Sequence, residues 1–352
     1  MSSPKRTTPS EGSPRRPSRK APSVPDVSSQ LSCTREKIPS PARFGLLVLS
    51  SLVLSSALFT LTSAITVGDL SSVSKHLENW WEVGGLIAWR AVELGLAWIA
   101  GFDGRDVFFF TLLTHVPTFF LLLHFYGVRP TTIVTSFTID ILSMTVPFML
   151  LRRPSSVHSL SGARSESVSN HGILQDRLTS IYTSVAASAI FSVFLYLSYY
   201  TWLPAFLVTH FEDIPDIRVV HAGPAGLPGL FLSLLVEGYA ARDLLFVSSA
   251  GWSAEEKSPS SKEQSAVADR QGEYLITSVY NRTWGTLSRK TRILITRTVL
   301  LAAVTLLNTI VQVSGTIKGV DVQGSAGWGA IWAAAQLTIG LMFGWIEAVP
   351  GV

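Results

Sequence analysis

The sequence predicts an all-α fold, a polytopic membrane helix bundle of about eight transmembrane helices that follows a disordered N-terminal tail. Of its 352 residues, 47% are hydrophobic and only 15% are charged, whereas soluble proteins have roughly 25% charged residues. The mean hydropathy is +0.35, and the charges are concentrated in a few segments. These observations indicate that lipid surrounds much of the chain, and they argue against a globular cytosolic enzyme.

The first 43 residues have a composition that cannot form a packed core. They include eight prolines, ten serines and nine Lys or Arg residues, and so bury too little apolar surface to offset chain entropy. We expect residues 1–43 to be a disordered, basic, cytoplasmic tail. An organellar transit peptide is the alternative, although prolines interrupt the amphipathic helix of such peptides. The tail has no aromatic residue on which a base could stack, so nucleic acid is not predicted as a partner.

Eight windows are long and apolar enough to cross a bilayer, which takes about 20 residues at 1.5 Å each. They are 44–66, 83–102, 107–125, 131–151, 178–203, 225–247, 293–315 and 326–347. With eight spans and a cytoplasmic tail, most of the 28 Lys and Arg residues fall on the cytoplasmic side, as they do in known membrane proteins. Both termini are then cytoplasmic, in an endomembrane or the plasma membrane.

This threading divides the chain into membrane segments and two cytoplasmic loops. Helices 1–4 occupy 44–151, helices 5 and 6 occupy 178–247, and helices 7 and 8 occupy 293–352. The loops 152–177 and 248–292 are rich in Ser and charge and are typical of flexible connectors. The second loop contains apolar residues at helical spacing, which indicates a helix on the inner leaflet or one packed on neighbouring spans. Ser18 and Ser155, each after Arg-Arg-Pro, are predicted phosphorylation sites, with solvated basic segments as the alternative.

Five ionisable residues on four predicted helices lie near the middle of their spans: Arg90, Glu93, His115, Asp140 and Glu237. A charge at that depth costs about 3 kcal/mol on insertion scales unless it is paired or hydrated. Arg90 and Glu93 are three residues apart and can pair on one helix face, but one arginine cannot neutralise three carboxylates. Pro117, Pro147 and Pro228 add helix breaks whose freed carbonyl groups could line the same region.

Two functions fit such a mid-membrane polar site. The first is a carrier or channel for a small solute or ion, in which a carboxylate exchanges a proton. The second is a non-transporting scaffold or adaptor, in which the charges fix helix association while the tail and loops recruit cytoplasmic partners. Acid–base chemistry by His115, Asp140 or Glu237 would be the enzymatic alternative. Since no catalytic motif is present, an enzyme is not the favoured prediction.

No metal site or cofactor is predicted, because the single Cys33 excludes a cysteine cage and no other ligand spacing matches a known site. Gly340 and Gly344 form a small-xxx-small pair in the last window. This pair predicts close packing against another helix or against a second copy in a homo-oligomer. Trp80, Trp81, Trp202 and Trp328 lie at the predicted ends of spans, where aromatic residues anchor helices at the interface.

Three short runs carry a resemblance to a known family: Tyr126-Gly127-Val128-Arg129-Pro130-Thr131-Thr132, Thr209-His210-Phe211-Glu212 and Ala240-Ala241-Arg242-Asp243. Set between spans of these lengths, they resemble a family of filamentous-fungal multi-pass membrane proteins. The likeness covers most of the chain from about Phe44 onward. That family has no assigned activity, so the resemblance implies a membrane fold but no functional residues.

Overall fold

Helix is the regular structure of the described parts of the chain. A computed structural model describes residues 40–152, residues 177–250 apart from 213, 216 and 222, residue 287 and residues 289–348. Among these residues the only β pairing consists of two isolated bridges, Ser74 with Ile317 and Phe211 with Val320. The predicted all-α class is therefore confirmed. Ser18, Ser155, most of both long loops and nearly all of the N-terminal tail lie outside the described residues.

The helices that the structure describes are α1 Ser40–Leu61, α2 Ser63–Val73, α3 Trp80–Ile99, α4 Gly104–His124, α5 Pro130–Leu151, α6 Arg177–Tyr200, α7 Leu203–His210, α8 Leu227–Ser233, α9 Leu235–Ala241, α10 Ser248–Ala250, α11 Arg289–Thr316 and α12 Val322–Ala348. Two short 3-10 turns precede α8, and a π-helical turn, Arg242–Val247, joins α9 to α10. The segment from α8 to α10 is thus almost continuously helical, with a break at Leu234.

Within the described residues, six helices are long and apolar enough to cross a membrane: α1, α4, α5, α6, α11 and α12. The predicted helical membrane protein is confirmed to this extent. The other two predicted spans differ, because α3 carries Glu82, Arg90 and Glu93 and the segment from α8 to α10 is broken into short pieces. The count of eight spans therefore stays a prediction.

Large apolar side chains cover much of the outer surface of these helices. Leu61 is 81% exposed, Leu341 74% and Trp345 70%, and long apolar patches of this kind are rare on soluble monomers. Lipid tails remove the cost of such exposure, because they are as apolar as the side chains themselves. The surface therefore fits a bilayer.

One end of the bundle, which we call the loop end, is tied together by backbone hydrogen bonds between distant loops. Lys75 N donates to Thr316 O at 2.7 Å, and Glu212 N donates to Gly319 O at 2.8 Å. Gly319 has a φ of +70°, and a Cβ there would lie 2.6 Å from Glu212 Cβ. This turn between α11 and α12 therefore requires glycine for both its conformation and its close contact with Glu212.

An ion pair at the loop end joins α2 to the turn between α4 and α5. Asp69 Oδ2 lies 2.6 Å from Arg129 Nε, and its Oδ1 lies 2.7 Å from Arg129 Nη2. Thr132 Oγ1 also donates to Asp69 Oδ2 at 2.7 Å. The hydrogen bonds from Arg129 and Thr132 lower the pKa of Asp69 below its usual value. The carboxylate is therefore the form that this contact favours.

We expect the contact between α2 and Arg129 to weaken in acid. Because the pKa of Asp69 is lowered on folding, its stabilising contribution is complete above the unfolded pKa of about 3.9 and is lost as pH falls through the lower, folded value. Protection factors of the α2 amides, which correct for the intrinsic pH dependence of exchange, should be constant from neutral pH downward and fall only at the acid end. In Asp69→Asn, α2 should exchange fast even at neutral pH, and a wild-type-like profile in this variant would contradict the account.

The close helix packing predicted at Gly340 is made within the chain, by α11 against α12. A Cβ at Gly340 would lie 2.5 Å from Thr298 Oγ1 and 2.8 Å from Thr298 Cβ, whereas one at Gly344 would meet only Leu294 Cδ2 at 3.7 Å. Gly340 thus lets two long helices approach closely. A homo-oligomer through Gly340 and Gly344 stays a prediction, with α11 already occupying the face of Gly340.

The aromatic residues predicted to anchor the spans divide into two groups. Trp80 and Trp81 are 89% and 90% exposed, and Trp202 is 42% exposed. Trp328 is 0% exposed, and its Nε1 donates to Pro117 O of α4 at 2.8 Å. An interfacial position for Trp328 was therefore the wrong prediction. Its indole finds its hydrogen-bond partner inside the bundle, at a backbone carbonyl of α4.

Candidate functional site

Four of the five predicted site residues meet in the interior of the bundle. Arg90 and Glu93 come from α3, His115 from α4 and Asp140 from α5. We call these four residues the mid-membrane network. Each lies near the middle of its helix; α4 and α5 pack directly together, whereas α3 packs on α11 and reaches α4 and α5 through its side chains. Whether the network is functional stays a prediction, since the geometry alone assigns it no activity.

Arg90 faces α5 in preference to its helical neighbour Glu93. Its Nη1 lies 3.8 Å from Asp140 Oδ1, and its Nη2 donates to Asp140 O at 3.3 Å and to Ser143 Oγ. Among the described residues Arg90 and Glu93 form no ion pair, so the predicted pairing within one helix is wrong. The guanidinium instead uses several donors to join two helices.

His115 lies between the two carboxylates of the network. Its Nε2 is 3.3 Å from Glu93 Oε1, and its Nδ1 is 3.8 Å from Asp140 Oδ2. The side chains of His115 and Glu93 are 3% and 1% exposed, and that of Asp140 is 22% exposed. With a protonated imidazole, two cations face two carboxylates and the network is neutral. Loss of that proton would leave one buried negative charge without a counterion.

The contact between His115 and Glu93 is close but poorly aligned. The two Glu93 oxygens and His115 Nε2 have no hydrogen-bond partner among the described residues. The two side chains are nevertheless within ion-pair distance. The attraction is therefore mainly between charges, without a well-directed hydrogen bond. Glu93 is the member of the network with unused hydrogen-bonding capacity.

Glu237 does not join the network. It lies in α9 and is 3% exposed, and among the described residues it forms no ion pair. Its Oε2 also has no hydrogen-bond partner there. The five predicted residues therefore do not form a single site. The cause is that α9 packs mainly on α6, with Gly238 against Ser184 and Ser188, and not on α3 or α5.

Two carbonyl groups one turn before Pro117 accept hydrogen bonds from side chains of other helices and do not line a site. Pro117 has no N–H, so Leu113 O loses its helical donor, and Gln336 Nε2 of α12 donates to it at 3.3 Å. Asn308 Nδ2 of α11 donates to the next carbonyl, Thr114 O, at 3.0 Å. The sequence reasoning missed Asn308 and Gln336, although a polar amide in an apolar span was the available signal.

The other two prolines also differ in effect. Pro147 lies inside α5, whereas Pro228 lies in the first turn of α8, where its missing N–H costs no helical hydrogen bond. Pro228 therefore starts a helix and does not interrupt one.

A second buried group of charges lies at the end of the bundle opposite the loop end, which we call the charged end. Arg105 of α4 forms a bidentate ion pair with Asp243 of the π turn, with Nε–Oδ2 at 2.9 Å and Nη2–Oδ1 at 2.8 Å. Arg297 of α11 lies 3.5 Å from Asp106 of α4, which also accepts a 2.6 Å hydrogen bond from Ser248. These pairs join α4, α10, α11 and the π turn.

The charged end was not predicted as a site. Asp243 is 1% exposed and Arg297 is 9% exposed, so neither extends to water as a charge near a membrane boundary often does. The signal that could have found them is charge complementarity. Asp106 and Arg297 have opposite charges, and they lie in the first turn of α4 and the third turn of α11, at the same end of the bundle.

Among the described residues no group of three or more His, Cys, Asp or Glu side chains is placed to hold a metal ion. Most charges of the mid-membrane network and the charged end contact a neighbouring helix. Glu93 and Glu237 are the carboxyl groups of the predicted site with buried oxygens that have no hydrogen-bond partner among the described residues.

Residues 176–311 match the family model for the bouquet formation protein 3 C-terminal domain. This is a fungal family without an assigned activity. The match covers less than half of the chain and includes Glu237, Asp243 and Arg297, whereas the mid-membrane network lies before it. Comparisons with curated proteins and with solved structures found no match.

Proposed function

We propose that the protein is a non-catalytic membrane scaffold whose buried charges hold its helices in a fixed arrangement. The observation that carries this proposal is the mutual pairing of Arg90, Asp140, His115 and Glu93 across three helices, at distances of 3.3–3.8 Å. Intramembrane charges that pair with one another can specify which helices associate. Two carbonyls of α4 before Pro117 also accept hydrogen bonds from neighbouring helices, from Gln336 and Asn308.

The resemblance to the bouquet formation family supports this class of function. The family is named for a process and not for a reaction or a transported solute. In the proposal, the basic tail 1–43 and the loop 248–292 recruit cytoplasmic partners, while the bundle anchors them to the membrane. The basic tail, at a net charge of about +6 from its nine basic and three acidic residues, would also favour the anionic surface of the cytoplasmic leaflet.

A proton-linked carrier is the second candidate, and one observation favours it. Both oxygens of Glu93 and one oxygen of Glu237 are buried without a hydrogen-bond partner among the described residues. Buried carboxyl groups with unused hydrogen-bonding capacity are found along proton pathways in transporters. The two candidates differ in what removal of a carboxylate does.

We expect Asp140→Asn to lower the free energy of unfolding by about 2 kcal/mol, because Arg90 and His115 lose a shared counterion. The Arg90–Asp140 pair is partly exposed and 3.8 Å apart, so the loss falls below that of a fully buried pair. Glu237→Gln makes the same chemical change where no ion pair exists, and it should leave stability unchanged or raise it. Denaturant unfolding of the purified chain in mixed micelles gives both values.

The same proteins, reconstituted into vesicles with a trapped pH dye, test the carrier. A scaffold should leave the decay of a pH gradient unchanged from that of protein-free vesicles, and removal of residues 1–40 should abolish partner recruitment in cells without altering bundle stability. Wild-type protein that collapses the gradient, together with an inactive but stable Asp140→Asn, would overturn the scaffold proposal in favour of transport.

A further inference from the structure

A cavity of about 250 Å³ lies near the loop end, between the ends of α4 and α6 and the start of α8. We call it the tyrosine cavity, because Tyr196, Tyr199 and Tyr200 of α6 form one wall. The opposite wall combines the side chains of Val219, Val220 and Leu230 with glycines at 223, 226 and 229. The described residues that line it include no Asp, Glu, Lys or Arg.

The walls of the tyrosine cavity suit a flat, apolar molecule. The rings of Tyr196 and Tyr200 are stacked, with centroids 6.4 Å apart and planes 15° apart. On the other side, a Cβ at Gly223 or Gly229 would meet nothing within 4 Å. An aromatic wall facing glycines and apolar side chains suits a rigid, apolar ring system, which binds with little loss of conformational freedom.

Two polar groups without protein partners lie at this cavity. Among the described residues His124 is hydrogen-bonded only through Nδ1, 3.2 Å from Phe120 O, so Nδ1 carries the proton and Nε2 of the neutral ring is an acceptor. Tyr199 is 6% exposed, and its hydroxyl oxygen has no hydrogen-bond partner there. Buried polar groups are normally paired, so the Tyr199 hydroxyl lacks a partner that a polar atom of a molecule bound beside His124 Nε2 could supply.

The cavity opens sideways and lies at the level of helix ends. Tyr200, Gly229 and Ser233 are exposed at its edge, on the outer surface of helices that lipid is predicted to cover. His124 is the last residue of α4 and Tyr200 the last of α6. Helix ends mark the interface between hydrocarbon and water, which is where the hydroxyl groups of lipids lie.

We infer that the tyrosine cavity binds a sterol, with the sterol hydroxyl at His124 and Tyr199 and the rings between the tyrosines and the glycine wall. The described lining residues carry no charge, which favours an uncharged ligand over a phospholipid headgroup. The cavity volume is below the range of about 300–1,000 Å³ typical of sites that enclose a whole ligand. It therefore holds the hydroxyl-bearing rings, while the tail of the sterol stays in the bilayer. This inference does not depend on the scaffold proposal.

The test is photo-crosslinking of the full chain in phosphatidylcholine vesicles that contain a diazirine-labelled sterol. We expect saturable labelling in residues 196–233, competed by unlabelled sterol. Gly229→Leu places a side chain at the cavity without a clash and should abolish this labelling. Gly84→Leu is the matched control, because Gly84 is also an exposed helical glycine with nothing within 4 Å of its Cβ position, and it should label as the wild type does.

Two further measurements test the role of the hydroxyl group. His124→Phe keeps an aromatic ring beside Phe120 but removes the acceptor, and should weaken sterol competition about fivefold, the effect of one lost hydrogen bond. A sterol methyl ether should compete as poorly with the wild type. Labelling that does not saturate, that persists in Gly229→Leu, or that the methyl ether competes as well as the free sterol would overturn the inference.

Discussion

Replacing Arg297 by methionine should lower the free energy of unfolding by about 3–5 kcal/mol, the cost of leaving one partner of a buried ion pair alone. The side chains of Arg297 and Asp106 are 10% and 4% exposed, so water cannot replace the lost cation. Methionine keeps most of the volume, which limits the effect of a cavity. Arg297 also donates to Leu244 O at 3.2 Å, and this carbonyl would lose a partner as well.

The matched control is Lys75→Met at the loop end. Lys75 pairs with Glu82 at 3.1 Å, but the two side chains are 42% and 33% exposed, so the loss should stay below about 1 kcal/mol. Reversible unfolding in mixed micelles compares the two variants directly. The double variant Asp106→Leu with Arg297→Met should be more stable than Arg297→Met alone, because it leaves no charge behind. Equal losses in Arg297→Met and Lys75→Met would show that the charged end contributes no more than a surface pair.

The sequence predicts the depth of a residue better than its direction. Arg90, Glu93, His115 and Asp140 were expected at one level because each is near the middle of an apolar window, and the structure places them in contact. Depth depends only on counting residues along a helix. Which neighbour a side chain faces depends on the rotation of the helix about its axis, and that is set by packing along the whole length of the helix.

Glu237 and Trp328 are two residues whose side-chain surroundings the sequence does not predict. Glu237 shares the predicted depth of the network, but α9 packs on α6 and α4 and places Glu237 without an ion pair to any described residue of the network. Trp328 is near the end of a span, where an interfacial position is the usual expectation, yet its ring packs on Phe125 and Trp332 inside the bundle. In both cases the deciding contacts come from a helix distant in sequence, and no local pattern records them.

The same reasoning explains why the charged end was overlooked. A charge one or two turns from a helix end can reach water through a long side chain, and the sequence alone favours that low-cost solution for Arg242 and Arg297. The π turn changes the geometry, because its extra residue per turn rotates Asp243 towards Arg105 and brings Ser248 to Asp106. Single π turns often occur where a side chain must be redirected.

Replacing Gly238 by alanine should destabilise the protein by about 3 kcal/mol, the upper part of the range for overpacking. An added Cβ would lie 2.6 Å from Ser188 N and would also overlap Ser184 O and Ser188 Oγ. Two of these atoms belong to the backbone of α6, so no rotamer change can relieve the overlap and the helices must separate. Separation would also expose Glu237, the adjacent buried carboxyl group.

Gly84→Ala provides the control for this variant. Gly84 lies inside α3 with nothing within 4 Å of its Cβ position, so alanine there should raise stability by up to about 1 kcal/mol through helix propensity alone. Opposite signs for the same substitution would isolate the close approach of α9 to α6 as the cause. If Gly238→Ala proved as stable as the wild type, α9 and α6 could not be in contact as the structure places them. The position of Glu237 outside the mid-membrane network would then have to be given up.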